Sequence, residues 1–275
     1  MLQIIENADT NNVTARMFEL AVKDAGLTME PFDPSTVPAP NYTPATAKDV
    51  ADAAYNVAQT GKDPSKDKRV MELLQSKLLA DTIGGMYQRH TLDVSKAKVG
   101  HINKHAPQVL EQAVEVFEQA VETMTEALQI TGPVVFEHQL AETGTMPAVK
   151  ADAVMRAYSA SMRAETIRKN FDAIRKAVHG GVSPNQSHQV FTWAAPTPEQ
   201  YAAHQLGNHQ NDNGRKQNVW DAIKYGVTVA LAITPEDYNQ RVDAFNRAAA
   251  DDGRDDREAK AAHEFAKHQA KTFKV

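Results

Sequence analysis

Apolar and polar positions alternate along most of this chain with a period near 3.6, the spacing that places one stripe of side chains on a helix face. The pattern is clearest over Gln108 to Ile130. There Leu110, Val114, Phe117, Val121, Met124 and Leu128 recur in alternating steps of four and three, which is a heptad seam. The phrase EQAVE occurs twice within it, seven residues apart. Thr131, Gly132 and Pro133 end the pattern. A second long helix is predicted from about Pro147 to His179, closed by Gly180 and Gly181. Its apolar face reads Met155, Tyr158, Met162, Ile167, Phe171, Ile174 and Val178. The linker between the two helices is long enough to return the chain antiparallel. The expectation is a helical hairpin over 108–179.

Weaker periodicity predicts the other elements. Asp9 or Thr10 caps a first helix, with Val13, Met17, Leu20 and Ala21 on one face and Gly26 past its end. Pro31 to Pro44, PFDPSTVPAPNYTP, reads as an extended arm, because proline fixes φ and removes amide donors. Helices resume over Thr46–Gln59, with Val50, Ala54, Val57 and Ala58 inward, and again after Asp63 and Pro64. Gly84 and Gly85 are expected to interrupt the latter, and Met86 to His105 reads as partly helical. PVVFEHQL and HQVFTW are strap or strand candidates. TPEQY at Thr197 and TPEDY at Thr234 share a start signal: threonine to cap, proline at the first helical position, glutamate near the helix dipole. Val219 to Ile233 fits either period, and its length favours helix.

These elements predict a mainly α fold. It is a bundle of about seven to eight helices, with short extended straps and a proline-rich N-terminal arm. The expected organisation is 1–45 (first helix and arm), 46–250 (helical domain containing the hairpin) and 251–275 (charged C-terminal helix).

Charge changes the picture at the hairpin. The helix over Gln108–Ile130 holds Glu111, Glu115, Glu118, Glu122 and Glu126 and no basic residue. The helix that follows carries Arg156, Arg163, Arg168, Lys169, Arg175 and Lys176, so the two are expected to face one another. Ala113, Ala120 and Ala127 flank the seam and permit close helix approach, which suits a bundle core. The competing reading puts part of the seam against another copy or another protein, with Leu110, Val114, Phe117, Val121 and Met124 as interface candidates.

The whole chain of 275 residues has net charge −5 and no cysteine. Thiolate chemistry and disulfides are thereby excluded, and a mildly acidic balance argues against a dedicated nucleic-acid binder. The start, MLQIIENADT, lacks the basic and apolar regions of a signal peptide, and the longest apolar run, GVTVALAI, is far short of a bilayer span. A cytoplasmic location, or incorporation into a particle assembled there, is expected.

Catalytic signatures are thin. His101 and His105 stand four apart in HINKH, the spacing that puts two rings on one helix face for zinc. Gly100 and Pro107 weaken a helix there, and spacing identifies no third ligand. HEFAKH sets its histidines five apart, which swings the second about 140° round the helix, where a metalloprotease motif needs them four apart. DDGRDD and NDNG lack the first aspartate and the twelfth-position glutamate of a calcium loop. His204, His209 and Asp212 lack a serine elbow, and no glycine-rich nucleotide loop is present. No cofactor is expected.

A non-enzymatic structural or assembly protein, acting through protein–protein contacts with its own copies or other subunits, fits these features. Components of multi-protein particles, phage virion and assembly factors among them, share this composition. Two alternatives stand beside it. One is a metal-dependent enzyme built from distant His, Asp and Glu residues such as His101, His105 and His138. The other is a nucleic-acid-binding regulator using the basic face Arg168, Lys169, Arg175 and Lys176.

Overall fold

The computed structural model describes residues 1–39, 45–133, 136, 142–180, 186–201 and 218–250, with the backbone alone over 80–86 and 186–188. The fold is a mainly α helical bundle. In chain order the helices are α1 (Ala8–Asp24), α2 (Ala47–Gln59), α3 (Lys68–Thr131), α4 (Ala148–His179), α5 (Val219–Lys224) and α6 (235–250), with a further helical turn over 198–201 that follows Thr197. Among the described residues the β structure is one short antiparallel pair. β1 (Ala194–Ala195) faces β2 (Thr228–Val229) in the register Ala194 to Val229.

The chain divides into two compact units. The smaller comprises Leu2–Met17 and Glu30–Lys104. Its N-terminal strap is held by two asparagines, whose amides offer a donor and an acceptor just as a peptide does. Asn103 accepts from the Leu2 amide at 2.8 Å and donates to the Leu2 carbonyl at 3.0 Å. Asn11 does the same for Ile5, at 3.1 and 2.9 Å, and also donates to Ser95 Oγ at 3.2 Å. Both Asn11 and Ser95 are buried, so these bonds satisfy groups that would otherwise carry a desolvation cost. Ala15, Val99 and Ile102 form the core here.

The larger unit holds Phe18–Met29 and the chain from His105 onward. Its core contains Phe117, Met124, Ile167, Phe171, Ile174, Phe191 and Trp193. The β pair extends past its two residues: Ala230 donates to Trp193 O at 3.1 Å and Ala232 to Thr192 O at 2.8 Å. Arg241 of α6 clamps this segment, donating to the carbonyls of Ala230 (2.6 Å), Leu231 (3.2 Å) and Phe191 (3.4 Å). Burial of its guanidinium pushes the Arg241 pKa down.

Several sequence expectations are corrected. The helix does not break at Gly84–Gly85: α3 runs without interruption from Lys68 to Thr131, through both glycines and Pro107. Asp63 caps only a single 3₁₀ turn, Pro64–Lys66; α3 is capped by Asp67, which accepts from the amides of Arg69 and Val70. Asn7, not Asp9 or Thr10, caps α1, accepting from the Thr10 amide at 3.0 Å. The α1 face is also turned. Ala15, Phe18, Ala21, Val22 and Ala25 are buried, whereas Val13, Met17 and Leu20 are exposed. HQVFTW is a 3₁₀ segment over Gln186–Thr192 rather than an extended one. Val219–Ile233 splits into α5 and β2, with Gly226 at φ 69° making the turn between them. Four features fall wholly or mostly outside the described residues. They are the end of the proline-rich arm, most of PVVFEHQL, the polar loop around Asn211 and the segment 251–275.

Candidate docking face

The α3–α4 pair is built on alanine. On α3 the fully buried line is Ala106, Leu110, Ala113, Phe117, Ala120, Met124, Ala127 and Thr131. On α4 it is Ala153, Ala157, Ala160, Ala164, Ile167, Phe171 and Ile174. Both lines step alternately by four and three, so each is a heptad seam. Alanines at every other seam position of α3 and at the first four of α4 let the backbones approach closely.

Two grooves fix how the helices run. One, of about 400 Å³, is lined by Val116, Gln119, Ala120 and Thr123 of α3 and by Met155, Arg156, Ser159, Ala160 and Arg163 of α4. The other, also about 400 Å³, sets Pro107, Leu110, Val114 and the glutamates Glu111, Glu115 and Glu118 beside Val178, His179 and Ile233. Residues 107–118 of α3 thus lie by the end of α4, and residues 116–123 by its early turns: over this last third of α3 the pair is antiparallel.

The heptad read from sequence was rotated relative to the observed one. Leu110, Phe117 and Met124 are buried inside this chain, which commits three of the five interface candidates to its own core. Val114 and Val121 are half-buried flank residues. On α4, Ile167, Phe171 and Ile174 face inward as expected, but Met155 and Met162 are 49% and 54% exposed. At 100° per residue both methionines sit about 180° from the alanine line. Tyr158, on the same outer stripe, meets Phe136 edge-on at 5.6 Å, and Phe136 stacks on buried Trp220 at 4.7 Å.

Charge also departs from expectation. Among the described residues the five α3 glutamates make no ion pair with the basic helix, although Glu111, Glu115 and Glu118 share a groove with its Val178 and His179. They lie opposite the α3 seam, exposed, and among the described residues none of them has an ion-pair partner. The basic residues of α4 pair along their own helix instead. Arg156 bonds Asp152 at 2.9 Å, Arg168 bonds Glu165 at 2.8 Å, Arg175 bonds Asp172 at 3.0 Å and Lys176 bonds Asp172 at 3.1 Å. Spacings of three and four bring such groups together whatever lies opposite. Arg163 has no such partner among the described residues.

The nucleic-acid face is therefore mostly occupied. Arg168 also stacks over Trp193, 5.4 Å from the ring centroid, and Glu165 receives the Val219 amide that opens α5. Arg175 is 3% exposed and its Nε has no partner. Of the four basic candidates, Lys169 alone is exposed. His101 and His105 do lie on one helix, but His101 Nε2 donates to the Glu30 carbonyl at 2.7 Å and its ring packs on Phe32. Among the described residues no three His, Asp or Glu side chains converge as a metal site, and His138 falls outside them.

No protein-family model matches the chain, and no curated protein or solved structure is significantly similar to it. Among the described residues no helix is long and apolar enough to cross a membrane.

Proposed function

We propose that this chain is a non-enzymatic assembly protein, a subunit that works by contact with other protein chains. One observation supports the reading above all. Helix α4 buries its alanines and turns its methionines outward. A helix selected only for its own fold would place the larger apolar groups inside, where each stabilises by about 1.5–3 kcal/mol. Methionine is also the side chain best able to adapt to a partner's surface. The stripe is bordered by the open groove that Arg156 and Arg163 line, which gives it the apolar centre and polar rim of an interface.

The test is a mass measurement in solution, with purification from native extract in parallel. The expected result is a discrete oligomer or a stoichiometric complex that is lost in Met155→Lys/Met162→Lys, with the helical circular dichroism unchanged. A protein that stays monomeric and carries no stoichiometric partner would overturn the assembly role.

A further inference from the structure

We infer that the acidic groove of the larger unit is the docking site for a basic segment of this same chain, residues 259–275. The inference stands apart from the assembly role. The groove contains neither Met155 nor Met162, so either reading can fail without the other.

The groove has an apolar floor and an acidic rim. Leu110, Val114, Val178 and Ile233 supply the floor, and Glu111, Glu115 and Glu118 the rim. All three carboxylates are exposed, and among the described residues none has an ion-pair partner. Glu115 accepts one hydrogen bond, from Gln119 at 3.1 Å. Of the lining side chains, His179 alone can carry positive charge. Such a groove fits an occupant that is basic on one side and apolar on the next, since complementary charge fixes partner and orientation.

Residues 259–275, AKAAHEFAKHQAKTFKV, have that chemistry and lie outside the described residues. They hold four lysines and one glutamate, a net charge of +3. Lys267, Lys271 and Lys274 step by four and three, the same steps that separate Glu111, Glu115 and Glu118. Ala262, Ala266, Ala270 and Phe273 recur at helical spacing, a pattern that sets an apolar stripe beside the lysines. The eight residues before them, DDGRDDRE, have five acidic groups and two arginines, a net charge of −3. Like charge excludes that stretch as the occupant of an acidic groove and suits it to a linker.

The chain is long enough for the contact to be made within one molecule. Ile233 lies in the groove, and α6 starts at 235. From there α6 runs to 250, a length of about 24 Å. Residues 251–258 span at most about 26–29 Å, which brings the residues that follow back alongside the groove. A short tether holds its segment at an effective concentration on the order of millimolar. Exposed ion pairs that are weak one by one then suffice to keep it seated.

Hydrogen exchange on the full chain tests this. The amides of 259–275 are expected to be protected in the wild type. Glu111→Lys/Glu115→Lys/Glu118→Lys should abolish that protection with the helical circular dichroism unchanged, and so should Lys267→Glu/Lys271→Glu/Lys274→Glu. Both sets combined in one chain should restore it, because the charges again oppose. A second measurement does not depend on charge reversal. The chain has no cysteine, so Glu115→Cys/Lys271→Cys should form a disulfide under mild oxidation at the mass of a single chain. Ser159→Cys/Lys271→Cys, with its first cysteine in the other groove, should form it far less. Amides of 259–275 that exchange as freely as in an unfolded chain would overturn the inference. So would protection indifferent to the reversals, or cross-linking that the Ser159 control matches. A disulfide found only between two chains would place the segment on a neighbouring copy and overturn the intramolecular contact. A separate basic protein seated in the groove, with 259–275 unprotected, would overturn it as well.

Discussion

At the scale of single residues, a few polar side chains decide where backbone begins and ends its helices. Three starts use one device. Thr46 with Asp49, Thr197 with Gln200 and Thr234 with Asp237 each exchange side chain for backbone amide in both directions. Thr234→Ala should destabilise the protein by about 1 kcal/mol, read from urea unfolding. Asp237 adds a pH dependence of known sign. The Thr234 amide bonds its charged form and holds its pKa below the ordinary 3.8. A folded pKa below the unfolded one means a contribution that is complete above the ordinary aspartate range. It is lost as pH falls through the folded value. The stability gap between wild type and Asp237→Asn should therefore narrow on acidification, and a gap constant from neutral to acid pH would contradict the box. Arg175 makes the opposite case. It is buried, one nitrogen is unpaired, and Asp172 keeps Lys176 at 3.1 Å without it. Arg175→Met should be neutral or stabilising in thermal melts, because apolar packing commonly equals or betters a buried ion pair.

At the scale of elements, the governing fact is which side of α3 and α4 faces the core. The sequence shows a heptad, and a heptad is present with Leu110, Phe117 and Met124 in it, but the pattern assigns Val114, Val121 and Leu128 the positions that Ala113, Ala120 and Ala127 hold. Hydrophobicity ranks Val114, Val121 and Met162 above Ala113, Ala120 and Ala160. Close packing ranks them the other way, since two helices can approach only where Cβ atoms are small. The alanine spacing is equally regular in the sequence, where it reads as a flank. Ala113→Leu or Ala157→Leu should cost about 1–3 kcal/mol through overpacking. Val121→Leu, half-exposed, should be tolerated. The long run of α3 was illegible for another reason. Glycine and proline penalties, about 1 and 3 kcal/mol, are priors that neighbouring packing overrides. Gly84→Ala/Gly85→Ala should therefore raise the melting temperature, by an amount worth about 1 kcal/mol per site. A drop would show that the glycines serve something other than helix. What sequence did disclose was fold class, the threonine caps and the inward faces of Ile167, Phe171 and Ile174. The candidate face escaped it, because only the solved orientation of α4 reveals that Met155 and Met162 point outward.

At the scale of the whole molecule, charge and apolar surface act together. The net charge of −5 is unevenly distributed, with the α3 glutamates forming one acidic row. A contact made through that row with a basic partner should weaken as salt rises towards about 1 M, where the screening length shrinks to about 3 Å. The methionine contact would persist under the same conditions. A mass that falls with salt but recovers on dilution back to low salt would separate this from aggregation. The alanine seams carry a further consequence, for the order of folding. Alanine has no rotamers to freeze, so the alanine half of the two seams adds nothing to the side-chain entropy lost when α3 locks to α4. The two helices are also neighbours in sequence, which keeps the closing loop short and the search fast. In refolding, the α3–α4 pair should gain amide protection before the β1–β2 pair, whose partners are more than thirty residues apart in the chain. The outward stripe of α4 would then be formed while the rest of the chain is still unfolded, and recognition of a partner chain could begin before folding is finished.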